Sequence, residues 1–202
     1  MSVSLKECAL VAFAASALLQ LACGSLGDRL TFRVKAADLQ HQTNSFLKNK
    51  KPDDFVEITL AGKLFNPAKP ISLVARNQAD WSTPEHAAAS IVSANTDGDA
   101  PWIVEDYVPS EREAVSKRLA DQDTLRTTVS YYQNLGRVSM TGWAQMHGFT
   151  VLFLQGVDEE GDATILTVAL SKTPSGWKQT DALAHDDTFE IVWTALHTGA
   201  VS

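Results

Sequence analysis

The hydrophobic rhythm of this chain changes at Gly136, and that change limits the architectures open to it. From Ser82 to Leu135 apolar residues recur every three or four positions, the helical period; beyond Gly136 they recur at every second position. RVSMTGWAQM (137–146), FTVLFLQGV (149–157), ATILTVALS (163–171) and GWKQTDAL (176–183) are therefore predicted strands. They are linked by His147–Gly148, by DEEGD and by TPSG, all too short for a crossover helix. Consecutive strands must then run antiparallel, as a four-stranded meander. Helices first and an antiparallel meander afterwards is an α+β order.

The helical half is punctuated by caps. In STPEHAAASIVSANTDGD (82–99), Ser82 and Glu85 have capping-box spacing, while Thr83 before Pro84 offers an alternative N-cap. Ala88, Ile91, Val92 and Asn95 make the inward stripe, and the alanines suit close backing of a sheet. Asp99 can cap a second helix, APWIVEDYV. A Ser110/Glu113 capping box opens a third, carrying a Glu113–Lys117 pair, and a fourth runs from Asp123 to about Leu135. Upstream, LTFRVKA (30–36), FVEITLAG (55–62) and ISLVAR (71–76) read as strands, the last two as an edge hairpin around NPAKP. Downstream, Asp186 or Asp187 caps DTFEIVWTALHTG, a closing helix with Phe189, Val192, Trp193 and Leu196 on one stripe.

The N-terminus carries the clearest address. Cys8 to Ser25 is uncharged, and the apolar part, Ala9 to Ala22, fits a signal-peptide core better than a membrane span, which needs about twenty residues. Leu-Ala-Cys-Gly at 21–24 is similar to a bacterial lipobox, with Cys23 as the lipidation site and Gln20 as a departure; ordinary cleavage after Gly24 is the alternative. No cysteine follows Cys23, which suits an exported domain large enough to manage without disulfides. The expected division is a signal peptide over 1–22, a tether, strand and polar connection over 23–54, and a single domain over 55–202.

A net charge of −7 argues against a nucleic-acid partner. The charge is uneven: residues 24–76 hold nine Lys and Arg against five Asp and Glu, and residues 77–202 hold seven against eighteen. The basic stretch lies either against its own acidic body or as a collar near anionic lipid.

The TPEHA helix, the aromatic APWIVEDYV helix, the PSERE helix and a meander ending in GWKQTDAL together resemble the nuclear-transport-factor-2-like, or ketosteroid-isomerase-like, cone of cystatin-like shape. The likeness covers residues 82–185 and rests on order and texture. It implies a strongly curved sheet wrapped around helices with a pocket between them. Many members bind small apolar molecules and some catalyse isomerisation or dehydration. The N-terminal strands and closing helix depart from the simple cone; either would plug the pocket mouth or offer a partner surface.

Tyr107, Tyr132, Trp143 and His147 are the expected pocket-lining residues. Tyr107 and Tyr132 fall on apolar helix faces, where packing of the ring is the ordinary role. On the first meander strand Trp143, Gln145 and His147 alternate onto one face, and Val138, Met140, Ala144 and Met146 onto the other, expected beneath the helices. No catalytic set, cofactor motif or metal-ligand spacing emerges: His185, Asp186 and Asp187 are adjacent and point apart. The expectation is a lipid-anchored, non-catalytic binding or accessory protein on the periplasmic face of a bacterial membrane, the outer membrane if Cys23 is acylated. A periplasmic isomerase or dehydratase is the alternative. Expected partners are the membrane, a small apolar ligand or envelope protein, and a second copy of the chain.

Overall fold

The computed structural model describes residues 28–41 and 43–202, so the leader and Cys23 lie outside the described residues. Six strands form one antiparallel sheet in sequence order: β1 (Arg29–Lys35), β2 (Phe55–Pro70), β3 (Arg137–Met146), β4 (Phe149–Val157), β5 (Ala163–Thr173) and β6 (Gly176–Gln179). Between β2 and β3 the chain makes α1 (Pro84–Asp97), α2 (Ala100–Asp106), α3 (Arg112–Leu119) and α4 (Gln122–Gln133); α5 (Asp187–Thr198) follows β6. The protein is α+β. Among the described residues no helix is long and apolar enough to cross a membrane.

Strand β4 explains why helices lie on both sides of the sheet. Val151, Leu152, Phe153 and Leu154 are all essentially inaccessible. Successive strand residues point to opposite faces, so such a run needs cover above and below. Leu152 and Leu154, with Met140, Val168 and Leu170, pack against Ala87, Ala88, Ile91 and Val92 of α1. Val151 and Phe153 join Phe32, Val34 and Ala144 beneath Ile191, Val192 and Ala195 of α5. Each large apolar side chain so buried contributes roughly 1.5–3 kcal/mol. A third cluster ties the helical layer together through Ala94, Trp102, Ile103, Tyr107, Val115 and Leu119.

Five expectations are corrected. The sheet has six strands, because the N-terminal hairpin forms between β1 and β2 and β2 pairs onward with β3. ISLVAR is not a strand: β2 runs on through NPAKP, and the chain then leaves the sheet, Ile71 N donating to Val138 O and Val74 N to Ser93 Oγ. The closing helix neither plugs a pocket mouth nor stands free; it covers the sheet face opposite α1. The Ser110/Glu113 box does not form, since α3 begins at Arg112 without a side-chain cap and the adjacent Glu111 carboxylate accepts from Thr180 Oγ1 and Asp181 N. At α1 the cap is Thr83, which accepts from His86 N, while the Ser82 hydroxyl donates to Asp80.

The fifth correction bears on the site. The β3–β4 register slips between Met140 and Gly142, a bulge that inserts one residue into the alternation. Beyond it the faces exchange. Trp143 stands opposite Leu152 and Gln145 opposite Thr150, on the α1 side with Met140; Ala144 and Met146 turn toward α5. Gly142 is required here, because a Cβ would lie 2.5 Å from Lys63 O on β2.

Candidate functional site

The exchange of faces builds a cleft beside the first turn of α1. Met140, Trp143, Gln145, Thr150, Leu152 and Trp177 line it from the sheet, and Pro84 and Glu85 from the helix, around a volume of about 150 Å³. Met140 and Leu152 are fully buried, while the two tryptophans are half-buried. Gln145 Nε2 donates to Thr150 Oγ1 at 2.7 Å. The Glu85 carboxylate is held by Lys69 Nζ at 3.3 Å, and Lys172 Nζ lies 5.1 Å from the centre of the Trp177 ring. Trp177 is fixed by its backbone N–H, which donates to Trp81 O at 2.7 Å.

Deeper in the helical layer lies a second group of polar side chains. Asp106, at the end of α2, is 1% exposed; its Oδ1 accepts from Trp81 Nε1 at 2.6 Å and its Oδ2 has no partner. Burial pushes its carboxyl up to about 7, against the Trp81 hydrogen bond and the charges of Lys178 and Arg112, which pull it down. Lys178, 2% exposed, stands 3.3 Å over the Trp81 ring and donates to Glu105 O at 3.0 Å. Burial lowers its ammonium below the usual lysine range, while Asp106 pulls the other way. The Tyr107 hydroxyl, pushed up to about 12 chiefly by burial, accepts from Gln179 Nε2 at 2.9 Å and from Arg118 at 3.4 Å. Tyr132 is raised by burial and then by neighbouring Tyr107, Tyr131 and Asp106. Trp102 Nε1 and Gln179 Oε1 are also without partners. A carboxyl near 7 can hold or release a proton at neutral pH, but so little exposure leaves an outside molecule no access to it.

The four expected pocket residues thus separate. Trp143 lines the cleft; Tyr107 and Tyr132 sit with the Asp106 group in the helical layer. His147 lies in the β3–β4 turn with φ 50°, its Nε2 3.5 Å from Asp186 Oδ2 and 3.4 Å from Thr188 Oγ1, beside the start of α5. In the sequence Asp106 stands out only as the neighbour of Tyr107 and takes no role, although it lies four residues from Trp102 and hence on the same inward face of α2. Sequence reasoning passed over Trp177 and Lys178 because in a short strand they read as ordinary alternation. Among the described residues no group of three or more His, Cys, Asp or Glu is arranged to hold a metal ion.

Fold and site define an α+β protein with a helical layer, a two-sided sheet and an aromatic cleft between sheet and helix. No protein-family model and no curated protein matches the chain. An NTF2-like transpeptidase from Campylobacter jejuni aligns with 48% of this chain and 97% of its own, at 13% identity and a TM-score of 0.39. A SEC-C motif containing protein from Rhodopseudomonas palustris covers 48% of this chain and 75% of its own, at 16% identity and 0.34. A calcium/calmodulin dependent protein kinase II association domain from Xanthomonas campestris covers 55% and 89%, at 12% identity and 0.27. None of these likenesses bears on activity.

Proposed function

We propose that the chain is an exported, non-catalytic binding protein of the bacterial cell envelope, anchored by lipid on Cys23. In this reading its helices and meander are a variant of the nuclear-transport-factor-2-like cone, with the Trp143–Trp177 cleft as the binding site. The observation that carries the binding reading is the make-up of that cleft: apolar floor, two indoles, and a single carboxylate already tied to Lys69. An acid–base mechanism needs a second group positioned against the same bound molecule. The anchoring reading is supported by the lipobox-like LACG, by the start of β1 only six residues past Cys23, and by the exposure of Arg29, Arg33, Lys35, Lys48, Lys50 and Lys51. These cations outnumber the exposed Asp28, Asp38, Asp53 and Glu57 beside them, and each uncompensated positive charge near the surface is attracted to anionic lipid at about 1 kcal/mol. Metabolic labelling with a palmitate analogue tests the anchor: label on the native protein and none on Cys23→Ala is expected, and equal, unlabelled products overturn it.

A specific observation favours a second reading, the isomerase or dehydratase. Asp106 is a carboxyl raised to about 7 with Tyr107 and Tyr132 as neighbours, the kind of group that general acid–base chemistry uses. It requires α2 or the Trp81 segment to move so that a substrate reaches Asp106 Oδ2. An Asp106→Asn protein that retains the function of the native protein in the cell removes this reading.

A further inference from the structure

The polar rim of the cleft narrows what can occupy it. Met140 and Leu152 give a hydrocarbon floor, and Trp143 and Trp177 supply aromatic walls. Around them stand Glu85, Gln145 and Thr150, with Lys69 on the Glu85 carboxylate and Lys172 beside Trp177. A hydrocarbon guest would strip water from Glu85, Gln145 and Thr150 and return no hydrogen bonds. A cation would approach Lys69 and Lys172, and an anion would approach Glu85. A neutral ring with an apolar face and hydroxyls around its edge meets none of these penalties.

The hydrogen-bond inventory fits such a ring. Thr150 is 4% exposed, and its Oγ1 already accepts from Gln145, so its own proton is left for an acceptor in the cleft. The Gln145 carbonyl and the Glu85 carboxylate are acceptors for hydroxyl donors, and the Lys69 ammonium is a further donor. At about 150 Å³ the cleft lies well below the roughly 300–1,000 Å³ of pockets that enclose drug-sized molecules, so it admits a single ring.

We propose that this cleft binds one pyranose ring, either as a free monosaccharide or as the terminal residue of a glycan. The proposal names the ligand class for the binding site put forward above and rests on that reading. A half-open site for one ring of about a dozen heavy atoms gives a Kd on the order of 1 mM. Tryptophan fluorescence of the full chain, titrated with glucose, N-acetylglucosamine, a chitin trisaccharide and cyclohexanol, tests it. Saturable binding of at least one sugar is expected, weakened about tenfold or more by Trp177→Ala and severalfold by Glu85→Gln, and unchanged by Glu160→Gln in the exposed β4–β5 loop. A trisaccharide that binds at least as tightly as N-acetylglucosamine assigns the glycan end; monosaccharide binding without the trisaccharide assigns the free sugar. Should Trp177→Ala fail to fold, the surface variant Glu85→Gln carries the test. Sugar binding untouched by either variant overturns the assignment to this cleft. Cyclohexanol binding without any sugar overturns the ligand class and leaves the binding site standing; silence from all four removes both.

Discussion

Each face of the sheet has a buried carboxylate packed into its helical cover, and the two are treated in opposite ways. Under α5, Glu190 accepts from His41 N at 2.7 Å and from Asn44 Nδ2 at 2.7 Å, with His41 Nδ1 at 3.2 Å. Burial raises its carboxyl, but the Asn44 and His41 hydrogen bonds outweigh that and hold it below the usual glutamate range. In the layer around α1, Asp106 keeps one oxygen unpaired and is pushed up to about 7. The α5 face is thus a seam that pairs its carboxylate fully: Thr194 Oγ1 is its one unpartnered buried side-chain atom among the described residues, and the cleft of about 180 Å³ that opens there, lined by His41, Phe189 and Trp193, finds Glu190 already engaged. The α1 face has a cleft of about 150 Å³ and, unlike the α5 face, three orphaned polar atoms. The difference lies in unpaired polar atoms rather than in the presence of a cleft, and a region that holds back some of its interactions is the better place to look for a ligand.

The sharpest way to break this contrast is to remove one large side chain from each face. Phe153→Ala, in the packed cluster between sheet and α5, is expected to cost about 3–5 kcal/mol in urea denaturation. Trp143→Ala, which opens onto the cleft, is expected to cost less than half as much, because water already reaches the site. Equal losses would mean that the cleft is as tightly packed as the seam.

The two carboxylates next predict opposite pH slopes. Asp106 has a folded value above its unfolded 3.8, so between 3.8 and about 7 the folded protein binds a proton the unfolded chain has released. Its contribution therefore falls as pH rises through that window. Across it each pH step of one corresponds to about 1.4 kcal/mol, so Asp106→Asn should gain a few kcal/mol on the native protein when stability at pH 8 is compared with stability at pH 4. Glu190 has a folded value below 4.5, so its contribution is present above 4.5 and lost as pH falls through the depressed value. Glu190→Gln should cost about 1–3 kcal/mol at pH 7, by turning an amide N–H₂ toward the Asn44 and His41 donors, and the deficit should shrink below pH 4. Parallel pH profiles for the two variants would contradict the pairing described here.

The smallest effects come from the caps. Thr83 on α1 and Asp186 on α5 each accept a backbone N–H, from His86 and from Phe189. Replacing either with Ala should cost about 1 kcal/mol. A markedly larger loss for Asp186→Ala would show that its contact with His147 adds to the seam.

Much of the fold was legible because local signals agreed with one another. The strands after Gly136 begin where the alternation begins, and Gly136 itself sits at φ 61° with no room for a Cβ, which would lie 2.3 Å from Val157 O. Asp99 caps where its spacing placed it, and of the two candidates Asp186 and Asp187 the first caps α5. What failed was long-range. A bulge at Thr141 leaves the apolar count of β3 unchanged yet inverts which residues meet α1, and nothing within RVSMTGWAQM marks it except Gly142, whose reason is the neighbouring Lys63 carbonyl. Likewise the Ser110/Glu113 spacing is favourable locally, but Glu111 alongside makes stronger contacts with Thr180 and Asp181, about seventy residues away. Of the residues singled out for the pocket, Trp143 lines the cleft, because an aromatic on a sheet face is visible in sequence, whereas its partner Trp177 is brought there by β6 folding back on Trp81.

The chain has five tryptophans, and they report on the rival sites separately. In a ¹H–¹⁵N spectrum of the full chain titrated with N-acetylglucosamine, the indole N–H signals of Trp143 and Trp177 should move in a saturable way while those of Trp102 and Trp193 stay in place. Movement of Trp102, one helical turn from Asp106 on α2, with Trp143 unmoved would contradict the account and put the working site inside the helical layer.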